Sequence, residues 1–169
     1  VTVGRDRVPF SLMVDDGCNL TGLITADDAI RLEGIGATDK IISYKQPRPL
    51  GGSTGNAARA IMAYCIVNVN LDENVTVQIK FEVGADVYVG AGNGLVGWPT
   101  LSWFNANVEL SYGERVLHLR TPSTTNNLWD APARAPQPSK TNKAISLRLY
   151  PVPHFHPLDE AQPWQRVMR

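Results

Sequence analysis

His154 and His156 form the pattern in this sequence that most resembles a reactive site. Alternate residues of a β-strand face the same side, so both imidazoles would point in one direction. Zinc requires three or four ligands, and nothing in the sequence brings His118 and a carboxylate to this pair. We therefore interpret His154 and His156 as surface histidines between prolines, and we expect no metal and no cofactor. The alternative is that both are partly buried and titrate near pH 6 as a switch.

Two pairs of adjacent acids, Asp15–Asp16 and Asp27–Asp28, are the next candidates. Neighbouring residues on a strand face opposite ways, so neither pair would aim two carboxylates at one substrate. The first pair precedes a glycine in a sequence typical of a turn. The second pair follows Thr25 at the spacing of a helix N-cap. We interpret both pairs as turn and cap residues, and calcium binding at Asp15–Asp16 with backbone oxygens stays open.

The two cysteines, Cys18 and Cys65, lie far apart in the sequence and do not form a disulfide framework. Cys65 falls on the apolar side of a predicted strand, which indicates a buried free thiol rather than an exposed nucleophile. The glycine-rich stretch Gly51–Asn56 lacks the Lys-Ser/Thr end of a phosphate-binding loop. No Ser-His-Asp arrangement with the spacing of a nucleophile elbow is present. The sequence therefore predicts no catalytic residue and no enzymatic activity.

The tryptophans are the side chains that we expect to contact other molecules. All four lie in predicted loops or beside prolines: Trp98, Trp103, Trp129 and Trp164. Loop tryptophans anchor protein interfaces and form stacking platforms for sugars. The alternative is that they cap the ends of the core. We predict that they form interfaces together with the proline-rich tail Pro151–Arg169, which contains His154 and His156.

The charge balance narrows the classes of partner. The 169-residue chain has 16 basic and 16 acidic residues and a formal net charge of zero. A nucleic-acid-binding domain usually carries a basic surface, so we predict no specific nucleic-acid site. Near-zero charge also weakens the repulsion between copies and permits self-association. No apolar run approaches the roughly 20 residues of a membrane helix, and no signal peptide is visible, so we expect no membrane partner.

The strand Val75–Val89 is the clearest structural element, because every odd-numbered residue in it is apolar. This alternation predicts one buried face and one exposed face, the latter carrying Thr76, Gln78, Lys80 and Glu82. Gly84 interrupts the strand and predicts a bulge or bend. The preceding segment Ala63–Leu71 alternates in the same way. Asp72–Asn74 then predicts a three-residue hairpin loop, with Asn74 in the left-handed conformation.

Weaker patterns complete the chain. Thr25 predicts the start of a short helix over Ala26–Glu33. Further strands are predicted at Val8–Val14, Leu20–Ile24, Lys40–Lys45, Val108–Tyr112 and Ile145–Tyr150, and the alternation in Arg115–Arg120 is ambiguous. Irregular segments are predicted at Gln46–Asn56, Gly90–Pro99 and Pro122–Lys143. We predict an all-β fold, an abbreviated antiparallel β-sandwich of jelly-roll type with long loops. Residues 1–150 would form this domain and residues 151–169 an extended proline-rich tail.

Two parts of the sequence resemble the capsid proteins of picorna-like viruses. Val75–Pro99 resembles the last strand and exit of their jelly rolls, through V-T-V-Q-I-K-F-E-V, the following G-A-D-V and the glycine-rich G-L-V-G-W-P. Ala60–Leu71 resembles the penultimate strand. Tyr112–Arg120, Y-G-E-R-V-L-H-L-R, is similar to a Gly-Glu to Leu-Arg segment in dicistrovirus- and iflavirus-like relatives. In those relatives this segment usually precedes a jelly roll, whereas here it follows the best strands.

The resemblance implies an icosahedral shell of several related proteins that are released from a polyprotein by proteolysis. From it we predict a structural capsid subunit, located in the virion and bound to copies of itself and to sister capsid proteins. The alternative is a carbohydrate- or receptor-binding β-sandwich, either freestanding or as a capsid protrusion. In that case loop tryptophans and Asp15–Asp16 would face the ligand.

Overall fold

The structure, a computed structural model, describes residues 1–50, 59–84, 92–111, 113–121 and 143–150. Within these residues the chain forms eleven strands and two helices. In chain order they are β1 Thr2–Val3, β2 Val8–Pro9, β3 Leu12–Asp15, β4 Gly22–Thr25, α1 Ala26–Gly34, β5 Ile41–Leu50, β6 Arg59–Asp72, β7 Val75–Gly84, β8 Gly94–Gly97, α2 Trp98–Trp103, β9 Asn107–Ser111, β10 Glu114–Thr121 and β11 Lys143–Leu149.

The strands form two sheets. The larger sheet has the order β2-β1-β6-β7-β4-β8-β3, with β5 added along β6, and the smaller sheet has the order β11-β10-β9. The predicted all-β, sandwich-like fold is therefore confirmed. The larger sheet is mixed rather than wholly antiparallel, because β3 pairs with β8, and β4 with β7, in parallel. The predicted division into residues 1–150 and a tail stays a prediction, since residues 151–169 lie outside the described part.

The long hairpin of β6 and β7 organises the larger sheet. Cys65 pairs with Phe81, and Val67 with Ile79, so the apolar residues of both strands share one face. All four side chains are buried in a single hydrophobic cluster. The cluster also contains residues of both helices, the residue that caps α2 and residues of the smaller sheet, namely Ala29, Leu32, Leu101, Phe104, Leu117, Leu119 and Ile145. The core therefore lies between the odd-numbered face of the hairpin and these elements.

The hairpin turn corrects one expectation. Asp72 pairs with Val75, so the loop has two residues, Glu73 and Asn74, rather than three. The Asn74 N–H donates to Asp72 Oδ1 at 2.6 Å, and Asn74 is not in the left-handed conformation. The Asp72 side chain stabilises the turn through this bond, so a left-handed residue is not needed. The bulge expected at Gly84 is confirmed by a register shift opposite it, between Ile61 and Ala63.

Helix α1 begins and ends as its sequence predicts. Thr25 Oγ1 accepts a hydrogen bond from the Asp28 N–H at 3.1 Å, which caps the first turn. At the other end Gly36 adopts φ 65°, and its N–H bonds to the Glu33 carbonyl. The Ala37 N–H bonds to the Leu32 carbonyl at 2.9 Å, which completes a Schellman motif.

Two segments expected to be irregular are ordered elements instead. Strand β5 continues to Leu50, although Gln46–Asn56 was expected to be a loop; residues 51–56 lie outside the described part. Its prolines are tolerated because Pro47 lies within a register shift between Ser43 and Arg48 and Pro49 lies just past it, on a strand that pairs on one side only among the described residues. The glycine-rich segment Gly90–Pro99 was wrongly expected to be irregular throughout, because it contains β8 and the start of α2.

Glycine is what allows β8 to lie inside the sheet. A Cβ on Gly97 would come within 2.1 Å of the Leu20 carbonyl oxygen, and one on Gly94 within 2.8 Å of Ile24 Cγ2. β8 separates β3 from β4, so the strands on either side of the Asp15–Gly17 turn are not paired with each other. The turn itself is as predicted, with the Gly17 N–H donating to Asp15 Oδ1 at 3.0 Å.

Candidate functional site

The structure describes only two of the six side chains predicted to form interfaces. Trp98 begins α2 and remains 54% exposed. Trp103 ends the same helix, packs against the core and lies edge-on to Phe104, with 4.9 Å between ring centroids. The other four lie outside the described residues: Trp129, Trp164, His154 and His156. Trp98 is therefore the predicted contact residue that presents an open aromatic face.

The fold brings Trp98 next to the predicted acidic turn. Asp15 pairs with Gly97 across β3 and β8, and the Trp98 N–H donates to the Cys18 carbonyl at 2.8 Å. Asp16 is exposed on the same turn. An exposed indole and an exposed carboxylate on neighbouring segments offer a stacking face and an acceptor for hydroxyl groups. The pairing of β3 with β8, which places these residues together, could not be read from their separation in sequence.

A second exposed surface follows β9. Val108 and Leu110 pair with Leu117 and Arg115 of β10, so they lie on the face of the smaller sheet that is directed toward the core. Leu117 is buried, yet Val108 remains 49% exposed and Leu110 remains 68% exposed. We name the pair Val108 and Leu110 the β9 strip. The β9 strip extends the core-directed face of the smaller sheet with apolar side chains. No other described residues cover these side chains.

The other face of the larger sheet contains a cluster of ion pairs around Glu82. The Glu82 carboxylate is only 5% exposed and lies 2.7 Å from Arg48 Nη2 and 3.0 Å from Lys80 Nζ. The Tyr44 hydroxyl donates to it at 2.8 Å. Arg48 also covers the Tyr44 ring, 4.2 Å from its centroid, and Lys80 covers the Tyr64 ring at 4.7 Å. Cations over aromatic rings add to the attraction of the ion pairs.

Glu82 was wrongly expected on an exposed face. Its alternation was read correctly, because Tyr64 and Glu82 pair across β6 and β7 on the face opposite the core. That face is covered locally by two side chains of β5, the neighbour of β6 in the same sheet, because Tyr44 and Arg48 reach over the carboxylate. The apolar residues Tyr64 and Ile66 among the polar positions of β6 were the signal in the sequence for a partly covered face.

The electrostatics of this cluster keep its groups in fixed charge states. Burial alone would raise the pKa of Glu82, but hydrogen bonds from Arg48, Lys80 and Tyr44 prevail and lower it. Burial and the neighbouring carboxylate raise the pKa of Tyr44. A carboxylate that stays ionised and a phenol that stays protonated at neutral pH exchange no protons there. The arrangement is suited to holding β5 onto the sheet rather than to acid–base chemistry.

A shallow pocket of about 240 Å³ lies beside this cluster. Its floor contains Ile42 and Ile66, and polar groups surround them: Thr38, Asp39, Lys40, Asn68 and Gln78. Gln78 Nε2 donates to Asn68 Oδ1 at 3.1 Å, which orients the two amides. One acid and one base balance each other, so the pocket carries no net charge.

His118 joins three strands on the outer side of the smaller sheet. Its Nε2 lies 2.9 Å from Glu109 Oε2 on β9, and its Nδ1 lies 2.9 Å from Ser146 Oγ on β11. A serine nucleophile would also require N–H donors aimed at an oxyanion. Ser146 lies in the middle of β11, which pairs along its length with β10. The arrangement therefore stabilises strand pairing, and it does not combine the parts of a hydrolytic site.

The Cys65 thiol and the acidic side chains are the remaining candidates for chemistry. Cys65 is fully buried and is a free thiol, as the sequence predicted. Burial, reinforced by the nearby Glu33 charge, raises its pKa to about 12. In the described part of the chain, no three His, Cys, Asp or Glu side chains lie close enough together to hold a metal ion. None of the described helices is long and apolar enough to span a membrane.

Comparisons with known proteins add no family to these observations. No protein-family model matches the chain, and a search of curated proteins finds no significant relative.

Proposed function

We propose that this chain is a structural subunit of an icosahedral virus capsid, which assembles with copies of itself and with sister capsid proteins in the virion and catalyses no reaction. The resemblance of Val75–Pro99 and Tyr112–Arg120 to capsid proteins of picorna-like viruses motivates the proposal. The all-β, two-sheet fold is of the kind that such shells use. The chemistry of the described polar clusters, which hold strands together, is also in keeping with a scaffold.

The observation that carries the proposal is the β9 strip. Val108 and Leu110 are 49% and 68% exposed, although they belong to the core-directed face of their sheet. Fully burying a valine or leucine contributes about 1.5–3 kcal/mol, so covering the exposed fractions of both contributes roughly 2–3 kcal/mol per copy. A closed shell repeats each contact many times, so even a modest gain at each one accumulates.

The proposal is tested by expressing the chain and imaging it by negative-stain electron microscopy together with light scattering. We expect particles or discrete oligomers from the native sequence. The double variant V108S/L110S should shift the material to smaller species. Ile30→Ser is the matched control, because Ile30 is an exposed aliphatic residue on α1, away from the smaller sheet. A monomer under all conditions, or equal effects of both variants, would contradict the proposal.

A second candidate function, binding of a carbohydrate or a receptor, is favoured by the position of Trp98 beside the Asp15–Gly17 turn. Stacking of a sugar on the indole and hydrogen bonds from its hydroxyls to Asp16 would form such a site. Glycan-array binding that is lost in Trp98→Ala but retained in Gln78→Ala would support this surface. Binding that is lost in Gln78→Ala alone would place the ligand in the shallow pocket instead.

A further inference from the structure

We propose that two copies of this chain associate through β9, pairing their β9 strands antiparallel around a two-fold axis, with Leu110 opposite Leu110 of the second copy. This inference rests on the proposed function, because it names one contact through which copies assemble. It would join two three-stranded sheets into one six-stranded sheet. The Leu110 side chains of the two copies would then lie side by side on the core-directed face.

The first support is the exposed edge of the smaller sheet. In the order β11-β10-β9, β9 is an edge strand, and no other described strand pairs with its outer side. Proteins commonly protect such edges with proline, lysine or a bulge. Strand β9 reads N-V-E-L-S and contains neither residue type, and its pairing with β10 is regular over all five residues. Its one charged residue, Glu109, contacts His118 of its own sheet. It is therefore a suitable template for another strand.

The hairpin geometry indicates which backbone groups face outward. Ser111 and Glu114 pair with two residues between them in the sequence. In such a hairpin the flanking pair exchanges both hydrogen bonds, and the following pairs alternate. The N–H and C=O groups of Leu110 and Val108 are then directed away from β10. Leu110 thus provides both the backbone groups and the apolar side chain at the two-fold axis, and Val108 extends the same outward edge.

Charge and exposure together select the register. Centring the two-fold axis on Glu109 would place two carboxylates directly opposite each other, which is unfavourable in an antiparallel pair. Centring it on Leu110 places Glu109 opposite Ser111 and the most exposed residue of β9 against its own counterpart. His118 already pairs with Glu109 on the outer face, so that charge has a partner within its own copy. The zero net charge of the whole chain adds no general repulsion between copies.

In a contact with two-fold symmetry, one substitution removes the side chain from both copies, so its effect on the free energy of association counts twice. Leu110→Ser should therefore raise the dissociation constant of the dimer by about 100-fold, whereas Ile30→Ser should leave it within about twofold. Sedimentation equilibrium over a range of concentrations measures both constants. Circular dichroism of each variant shows that the fold is retained. A native chain that stays monomeric, or a dimer that Leu110→Ser does not weaken, would overturn the inference.

Disulfide trapping tests the register. In a Cys18→Ser background, Leu110→Cys should form a covalent dimer rapidly under mild oxidation, because hydrogen-bonded antiparallel pairs have Cα atoms about 5.5 Å apart. Glu109→Cys and Ile30→Cys should cross-link only slowly. Fastest cross-linking through Glu109→Cys would overturn the register. If capsid-like particles form without β9 cross-linking, the proposed function holds and the β9 contact is wrong. If a β9 dimer forms but no particles do, the β9 contact holds and the proposed function is wrong.

Discussion

Replacing Glu82 by glutamine tests whether the buried ion cluster holds β5 onto the larger sheet. The substitution keeps the shape of the side chain but removes the charge that Arg48 and Lys80 share, at 2.7 and 3.0 Å. A hydrogen bond to a charged group contributes about 1.5–3 kcal/mol when it is shielded from water. The Arg48 and Lys80 side chains are 48% and 24% exposed, so water recovers part of that loss.

We therefore expect Glu82→Gln to lower the free energy of unfolding by about 2–3 kcal/mol, or Tm by roughly 4–12 °C for a chain of this size. Chemical denaturation and calorimetry measure the two quantities. Glu109→Gln is the matched control, since it makes the same change at an exposed carboxylate; we expect less than about 0.5 kcal/mol there.

The effect of Glu82→Gln on stability should depend on pH. The pKa of Glu82 is lower in the folded protein than the ordinary value of 4.5, so its stabilising effect is fully present above that value. It is lost as the pH falls through the lower folded pKa. The stability gap between native protein and Glu82→Gln should therefore be constant from pH 6 to 7 and close in acid. Equal stability at pH 7, or a gap that persists in strong acid, would refute this reasoning.

Three further predictions concern packing. Gly97→Ala should destabilise the fold by at least about 2 kcal/mol, because its Cβ would overlap the Leu20 carbonyl. Gly34→Ala, which has open space around it, should instead stabilise α1 by about 0.5–1 kcal/mol. Urea unfolding measures both changes, and equal effects of the two variants would contradict the packing of β8. Cys65, with a pKa of about 12, should react with a thiol reagent at pH 8 only as the protein unfolds; rapid native labelling would contradict its burial. Thr25→Ala should cost about 1 kcal/mol and Thr25→Asp much less; an equal loss in both would argue against the cap.

The parts of the fold that could be predicted are those in which local pattern and packing agree. The hairpin of β6 and β7 follows from alternation alone, since a one-residue slip would move every apolar side chain to the wrong face. Helix α1 follows from Thr25 and the glycines after it, which satisfy backbone groups at both ends. The alternation of each strand and the capping residues of α1 are local features of the sequence. They do not depend on contacts with residues far away in the chain.

The parts that could not be predicted depend on contacts distant in sequence. β8 is a glycine-rich segment of four residues, and it is a strand only because β3 and β4 lie on either side of it. Glu82 is buried by Arg48, which precedes it by more than thirty residues, so alternation alone placed it in solvent. Trp98 gains its acidic neighbours through the pairing of β3 with β8. The sequence predicts Trp98 as a contact residue, whereas the β9 strip is recognised only from the exposure of Val108 and Leu110.

Sedimentation velocity of the native chain and of V108S/L110S over a wide concentration range tests most directly whether this protein is an assembling subunit. The central claim predicts that the native chain sediments as dimers or larger species whose share grows with concentration. It also predicts that the double variant sediments as a folded monomer at the same concentrations. A native chain that remains monomeric throughout, or a double variant that assembles equally well, would contradict it.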